Sequence, residues 1–301
     1  MVDTNLPSTD YERRFSIFLI EAEGMAILKT RKCHPKLKET SHCLAPDDLE
    51  LVGKGLGAPE PLVKKKGKLL RKWLTRKTHC KSERCLVEKS HLDPKRKAQI
   101  IKSQFRPTMP DSWIADPDQW LDSNNISDVM KQYEESNPEF KFLGTNPIDF
   151  AAPDPYTKGA AQQGKCIEDA ICKLSLAILE REGKTKIGVV YNLDPSNKGG
   201  SHWIASYTDI PGHRTYYFDS YGMRPPNQIA RFMRSLTLQD PKMKLEYNSR
   251  RHQFGNSECG MYCLYFLIQM INGESFKKFC RRAKKDFKML ELRQELFASK
   301  L

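Results

Sequence analysis

The run Met261–Ile271, MYCLYFLIQMI, has a single polar amide side chain, Gln269, among eleven consecutive residues. It is far short of the roughly 20 apolar residues that a membrane crossing needs, so it must be a helix buried within protein. A helix that is apolar on every side needs cover from every direction, and the rest of the chain has to supply that cover. Cys259 and Gly260 stand at the mouth of this helix, and Gln253 lies six positions before the cysteine.

A chain of 301 residues with 39% apolar and 29% charged side chains has room for a sizeable core and for two domains, and extensive disorder is not expected. No N-terminal apolar segment follows a basic stretch, so neither a signal peptide nor a membrane anchor is expected. Nine cysteines are scattered along the chain. That odd number, without a secretory signal, predicts free thiols in a reducing compartment rather than a disulfide framework. The Asn125-Ile126-Ser127 sequon then carries no meaning. The formal net charge is +13, and residues 54–106 alone hold 17 Lys and Arg against four acids, again +13. Such a concentration suggests an anionic partner such as nucleic acid, a virion core or an acidic protein face. A solvated helical surface is the other reading.

Residues 1–60 mix polar residues, Pro and Gly with a few apolar clusters (FSIFLIEAEGMAILK) and read as a loosely packed region. In KKKGKLLRKWLTRKTHCKSERC, Leu69, Leu70, Trp73 and Leu74 recur at helical spacing, which predicts a basic amphipathic helix. RPTMPDSWIADPDQW (106–120) has the composition of a linker. The boundary placed there divides the chain into a basic, mainly helical region, 1–110, and a denser region, 111–301. Within the latter, SDVMKQYEES reads as a helix capped by Ser127. Ile167, Ala170, Ile171, Leu174, Ala177 and Ile178 fall on one helical face that stops at Gly183. KIGVVYNL, HWIASYTD and RTYYFDSY read as strands, PNQIARFMRSL as a helix after Pro226 and MKLEYN as a fourth strand. The buried helix and a charged C-terminal helix follow. Helices flanking a run of strands make the class α+β.

Several N–H groups and the positive end of the helix dipole converge on a cysteine in the first turn of a helix. Both favour a thiolate, and the same N–H groups can hold an oxyanion. Cys259 therefore has the setting of a nucleophile, and Gly260 adds no side chain to obstruct a substrate carbonyl. A thiol nucleophile needs a base, and the base needs an orienting acceptor. His202 opens one strand and Asp219 ends the next. If those strands are antiparallel neighbours joined at Pro211-Gly212, His202 and Asp219 meet at one sheet edge. Gln253 supplies a neutral amide donor for the second oxyanion hydrogen bond. The four types, Cys259, His202, Asp219 and Gln253, make an acyl-transfer set.

The order HW (His202-Trp203), FDS (Phe218-Asp219-Ser220), then QFGNSECGMY (Gln253–Tyr262) resembles the Ulp1-like and adenain-like cysteine proteases, in which His precedes Asp and both precede Gln and Cys. The resemblance extends to QWLDSNNISDVMKQY and covers roughly residues 118–275. The basic N-terminal region and CKSERC resemble the polyprotein proteases of nucleocytoplasmic large DNA viruses of the African swine fever virus type. The resemblance implies a central mixed sheet flanked by helices and a peptide substrate with Gly-Gly or Ala-Gly before the scissile bond. It also implies that Trp120 and Trp203 clamp that small-residue segment, a slot that selects by exclusion.

Other residues compete for chemical roles. Cys166 stands at a predicted helix start with Gln162 and Gln163 nearby, though that glutamine spacing is too short for a papain-like arrangement. Cys33, His34, His42, Cys43, His79, Cys80 and Cys85 could include zinc ligands, but neither CHPKLKETSHC nor HCKSERC has the C-x2-C spacing of a strong zinc signal. KKKGK lacks the P-loop pattern. The sequence thus reads as a cofactor-free, metal-free thiol endopeptidase that cleaves after small residues. The expected setting is virion maturation, in the virion and host cytoplasm, with nucleic acid as a second partner of 54–106 and no membrane partner. A deconjugase for a ubiquitin-like modifier and a nucleic-acid-binding core protein with a relic protease fold remain as rivals.

Overall fold

The computed structural model describes residues 32–37, 42–65, 67–155 and 164–299. The FSIFLIEAEGMAILK segment and the residues Gln162 and Gln163 lie outside them. Among the described residues, five helices come first: α1 (Pro46–Gly55), α2 (Glu60–Lys65), α3 (Lys68–Thr78), α4 (Glu83–Lys89) and α5 (Pro94–Gln104). Leu49, Val52, Val63, Leu70, Leu74, Leu86, Val87 and Ile100 bury their side chains among these helices as one cluster. The amphipathic reading of α3 holds for Leu70 and Leu74, while Leu69 lies on the exposed side. No helix among the described residues is long and apolar enough to cross a membrane.

The remainder is a five-stranded mixed sheet between two layers of helices. Its strands are β1 (Phe140–Asn146), β2 (Lys186–Asn192), β3 (Trp203–Asp209), β4 (Arg214–Phe218) and β5 (Lys244–Tyr247), and they lie in that order. The outer pairs β1–β2 and β4–β5 are parallel, and the inner pairs are antiparallel. The apolar run forms α11 (Cys259–Ile271) on one face, packed with α7 (Ser123–Ser136), α12 (Phe276–Arg281) and α13 (Asp286–Leu296). On the opposite face lie α9 (Leu176–Arg181) and α10 (Asn227–Gln239).

Two covered faces explain why β2 and β3 read as nearly continuous apolar runs rather than alternating ones. Ile187, Val189, Tyr191 and Ile204 point into the cluster beneath α10. Val190, Trp203, Ala205 and Tyr207 point into the cluster around α11. Every residue of α11 except Tyr265 is buried. Full burial of a Leu, Ile, Met or Phe side chain is worth about 1.5–3 kcal/mol, so this helix is a principal source of the fold's stability.

Several sequence expectations need correction. The predicted linker, residues 106–120, is packed against the body. It contains α6 (Ser112–Ala115), buries Trp113, and pairs with the C-terminal segment through Ala298 N–H to Pro107 O and Met109 N–H to Ala298 O, both 2.9 Å. The helix expected at Ser127 starts earlier, because Asp122 and Asn125 cap its first turn reciprocally. The single helix expected over 167–178 is broken into α8 (Asp169–Cys172) and α9. Strand β1 has no counterpart in the sequence reading. The expectation of free thiols also fails for most of the cysteines. Cys33–Cys43, Cys80–Cys85 and Cys166–Cys172 are disulfides, leaving Cys259, Cys263 and Cys280 free. The sulfurs weighed as zinc ligands are therefore bonded to one another.

Candidate active site

Strands β3 and β4 pair antiparallel with Ala205 opposite Phe218. His202, just before β3, and Asp219, just after β4, are thereby brought to the same sheet edge. His202 Nε2 lies 2.8 Å from Asp219 Oδ1, and both side chains are buried. Asp219 is itself fixed: its N–H donates to Asn248 Oδ1 (2.9 Å), and its Oδ1 also accepts from the Tyr221 N–H (2.8 Å). The Asn248 amide in turn donates to the Asp219 carbonyl at 2.7 Å. Gly222 closes this turn at φ 75°, where a Cβ would approach the Arg250 carbonyl carbon to 2.8 Å. The Tyr221 ring stacks on the imidazole, 4.7 Å between centroids.

With Nε2 given to Asp219, Nδ1 is the nitrogen left for Cys259, whose thiol interacts with the imidazole. Burial alone would depress the imidazole, but the Asp219 and Cys259 hydrogen bonds and charges outweigh it and hold its pKa up at about 9. Cys259 is buried at the first position of α11, so its N–H has no acceptor within the helix. One turn further on, the thiol of Cys263 is pushed well above the usual range by burial, then by the charges of Cys259 and Asp219.

Gln253 is fully buried, and its orientation is set by Ser220. The Ser220 hydroxyl donates to Gln253 Oε1 (2.6 Å), and the Gln253 N–H donates to Ser220 O (2.9 Å). The amide nitrogen gives one hydrogen to Gly255 O at 3.1 Å, which leaves its second available. The loop is held from below by Asp286, which accepts from the Gly255 N–H at 2.7 Å and from the Tyr262 hydroxyl at 2.9 Å. The neighbouring His252 is not a second base. Burial among Phe218, Tyr262 and Phe279 lowers it to about 4 and keeps it neutral.

A cleft of about 510 Å³ is lined by His202, Trp120 and Trp203, with Gly200, Asn192 and Glu168 also in its walls. Trp203 is buried and donates its indole N–H to Leu121 O at 2.8 Å, whereas Trp120 is exposed. Gly260 serves this wall directly. A Cβ there would stand 3.0 Å from Leu121 Cβ and 3.3 Å from Trp203 Cδ1. Cys166, the rival nucleophile, is bonded to Cys172. Tyr221, Ser220 and Asn248 were missed by sequence reasoning. The only signal for the first two was their place directly after Asp219 in FDSY. Also missed was Glu258, buried beside Cys259 and paired with Arg293 at 2.9 Å. Burial outweighs Arg293 and pushes the Glu258 carboxyl up to about 7.

The chain order His202, Asp219, Gln253, Cys259 is the one that the resemblance to Ulp1-like cysteine proteases leads one to expect. No protein-family profile matches the chain, but individual proteins do. It is 33% identical over 168 residues to a protein of Acanthamoeba polyphaga mimivirus that bears a thiol-protease name, covering 52% of this chain and 50% of that protein. It is 32% identical over 117 residues to a SUMO-1 cysteine protease of African swine fever virus, covering 36% of this chain and 43% of the relative. The chain thus spans half or less of the length of these curated relatives. The crystal structure of an African swine fever virus protease superposes with a TM-score of 0.66 at 19% identity, over 91% of this chain and 97% of that one. The protein is related in sequence to viral thiol and cysteine proteases, and it has the fold of one.

Proposed function

We propose that the protein is a cysteine endopeptidase that cleaves after small residues, at Gly-Gly-X-like sites, and that it processes structural polyproteins during virion maturation. The observation that carries this reading is His202 bonded to Asp219 and interacting with Cys259, on a cleft that Trp120 and Trp203 also line. Asp219 fixes the imidazole through Nε2 and stabilises its cation. Cys259 Sγ attacks the carbonyl carbon of the small residue that precedes the scissile bond. The Cys259 N–H and the free Nε2 hydrogen of Gln253 receive the oxyanion. His202 protonates the leaving amine, then accepts a proton from the water that hydrolyses the thioester. The two indoles admit glycine and exclude larger side chains from the approach to Cys259.

Cys259→Ala and His202→Ala should each abolish cleavage of a Gly-Gly-X peptide while melting within a few degrees of the parent. Full activity in either folded variant sinks the assignment. Labelling of Cys259 by a suicide probe ending in the Gly-Gly tail of a ubiquitin-like modifier, with no cleavage of Gly-Gly-X peptides, would replace endopeptidase by deconjugase. In this reading residues 111–301 are the catalytic unit and 1–110 a basic appendage that binds nucleic acid and concentrates the enzyme on loaded particles. The 17 Lys and Arg of residues 54–106 support that role.

A further inference from the structure

The ion pair behind the nucleophile is wired to the substrate cleft. Arg293, on α13, is 4% exposed and Glu258 is 2% exposed. Arg293 Nη2 donates to Glu258 Oε1 at 2.9 Å, and Glu258 is the residue directly before Cys259. The other arm, Nη1, donates to Gln119 O at 2.6 Å, and Gln119 is the residue directly before Trp120. The guanidinium lies over the Trp113 ring, 4.5 Å from its centroid, and Trp113 packs edge-on against Phe297 at 4.9 Å. On the far side of Trp120, the Leu121 carbonyl is held by the Trp203 indole at 2.8 Å. Trp120 is therefore presented from a segment pinned on one side by Arg293 and on the other by Trp203. The charged and polar groups facing Glu258 are Arg293, Asp118 and Ser257.

A buried ion pair is a poor device for stability alone, since well-packed apolar side chains of similar volume usually do as well. A guanidinium is the one side chain that can give rigid, divergent donors to two acceptors at once. Here the two acceptors belong to the two parts of the site that must be in register. We propose that Arg293 is a positioning residue that couples the start of the Cys259 helix to the Trp120 wall of the cleft. This inference rests on the protease reading of the same site.

The test compares the parent with Arg293→Met/Glu258→Gln, which removes both charges at similar volume, and with Arg293→Lys, which keeps the charge but loses the fork. Steady-state kinetics on a Gly-Gly-X peptide are read beside melting temperature and the rate of Cys259 alkylation by iodoacetamide. In the folded double variant kcat should fall at least tenfold and KM rise at least threefold, because both walls lose register. Arg293→Lys should recover only part of either. Unchanged kcat and KM in a double variant that melts near the parent overturns the proposal. If the double variant does not fold, Arg293→Lys decides: parental constants there overturn it equally. If the parent cleaves no peptide, the protease reading fails separately, and the alkylation rate decides the coupling. A threefold or larger change is expected, and no change refutes it.

Discussion

His202 is the residue on which the proposed chemistry turns, because it must be a cation when the leaving amine departs. Its pKa, held at about 9 against burial by Asp219 and Cys259, places the imidazolium through neutral pH. Raised above the usual value of 6.5, it contributes stability that is complete below pH 6.5 and lost as pH rises through about 9. The alkaline limb of kcat/KM should fall in the same range. Asp219→Asn removes one of the two raising partners, so that limb should move to lower pH, with kcat reduced. An unmoved limb in the pH–rate profile would contradict the orienting role. Gln253→Ala should lower kcat about a hundredfold or more with little change in KM, because the oxyanion contact forms only in the transition state. The meeting of His202 and Asp219 at one sheet edge and the place of Cys259 at a helix start were legible, because strand alternation and the apolar helix are local signals. Tyr221, Asn248 and Glu258 were not, since nothing local distinguishes a tyrosine that stacks on a histidine from one in any turn.

At the scale of elements, α11 joins two duties: it fills the core and presents Cys259 at its first position. The start of the helix must sit hard against Leu121 and Trp203, which is why Gly260 follows the cysteine. Gly260→Ala should destabilise the protein by about 1–3 kcal/mol through overpacking and raise KM by displacing the Trp203 wall, as thermal melts and peptide kinetics would show. Stability and KM both equal to the parent would mean that the wall yields freely. The strands β2 to β5 and the helix α10 were readable from apolar runs between turn residues. Strand β1 was not, because FKFLGTN carries a lysine and a glycine and takes its place from parallel pairing with β2, a long-range contact. The 167–178 periodicity misled in the opposite direction. Its apolar spacing is helical, but the Cys166–Cys172 disulfide and the Ser175 cap divide it into two short pieces.

In the whole molecule, the five N-terminal helices among the described residues, of which α3 and α5 carry most of the positive charge, have their own apolar cluster and are joined by packed contacts to a sheet-centred body. Gln132 donates to Phe105 O at 2.8 Å across this junction, and Arg106 lies over the Tyr133 ring at 5.4 Å. Some cations of residues 54–106 are already engaged, Arg71 with Glu83 and Arg96 with Asp48 among them. If the remainder bind nucleic acid, affinity should fall steeply and log-linearly with salt, and a chain lacking 54–106 should lose it. Affinity unchanged by salt in a binding titration would remove nucleic acid as a partner. The charge concentration was plain in the sequence, but the pairing of six cysteines was not, since spacing alone cannot choose between thiol, metal and disulfide. That pairing sharpens the most direct test of the central claim, because only Cys259, Cys263 and Cys280 are free. Burial pushes Cys263 well above the usual range and Cys280 up to about 12, so neither competes near neutrality. The measurement is intact-protein mass spectrometry after brief exposure to a limiting alkylating agent at pH 6, with the modified cysteine mapped. Rapid single labelling at Cys259, lost in His202→Ala, is the result expected of an activated nucleophile. Labelling of Cys259 no faster than Cys263 or Cys280 would leave a protease fold without protease chemistry.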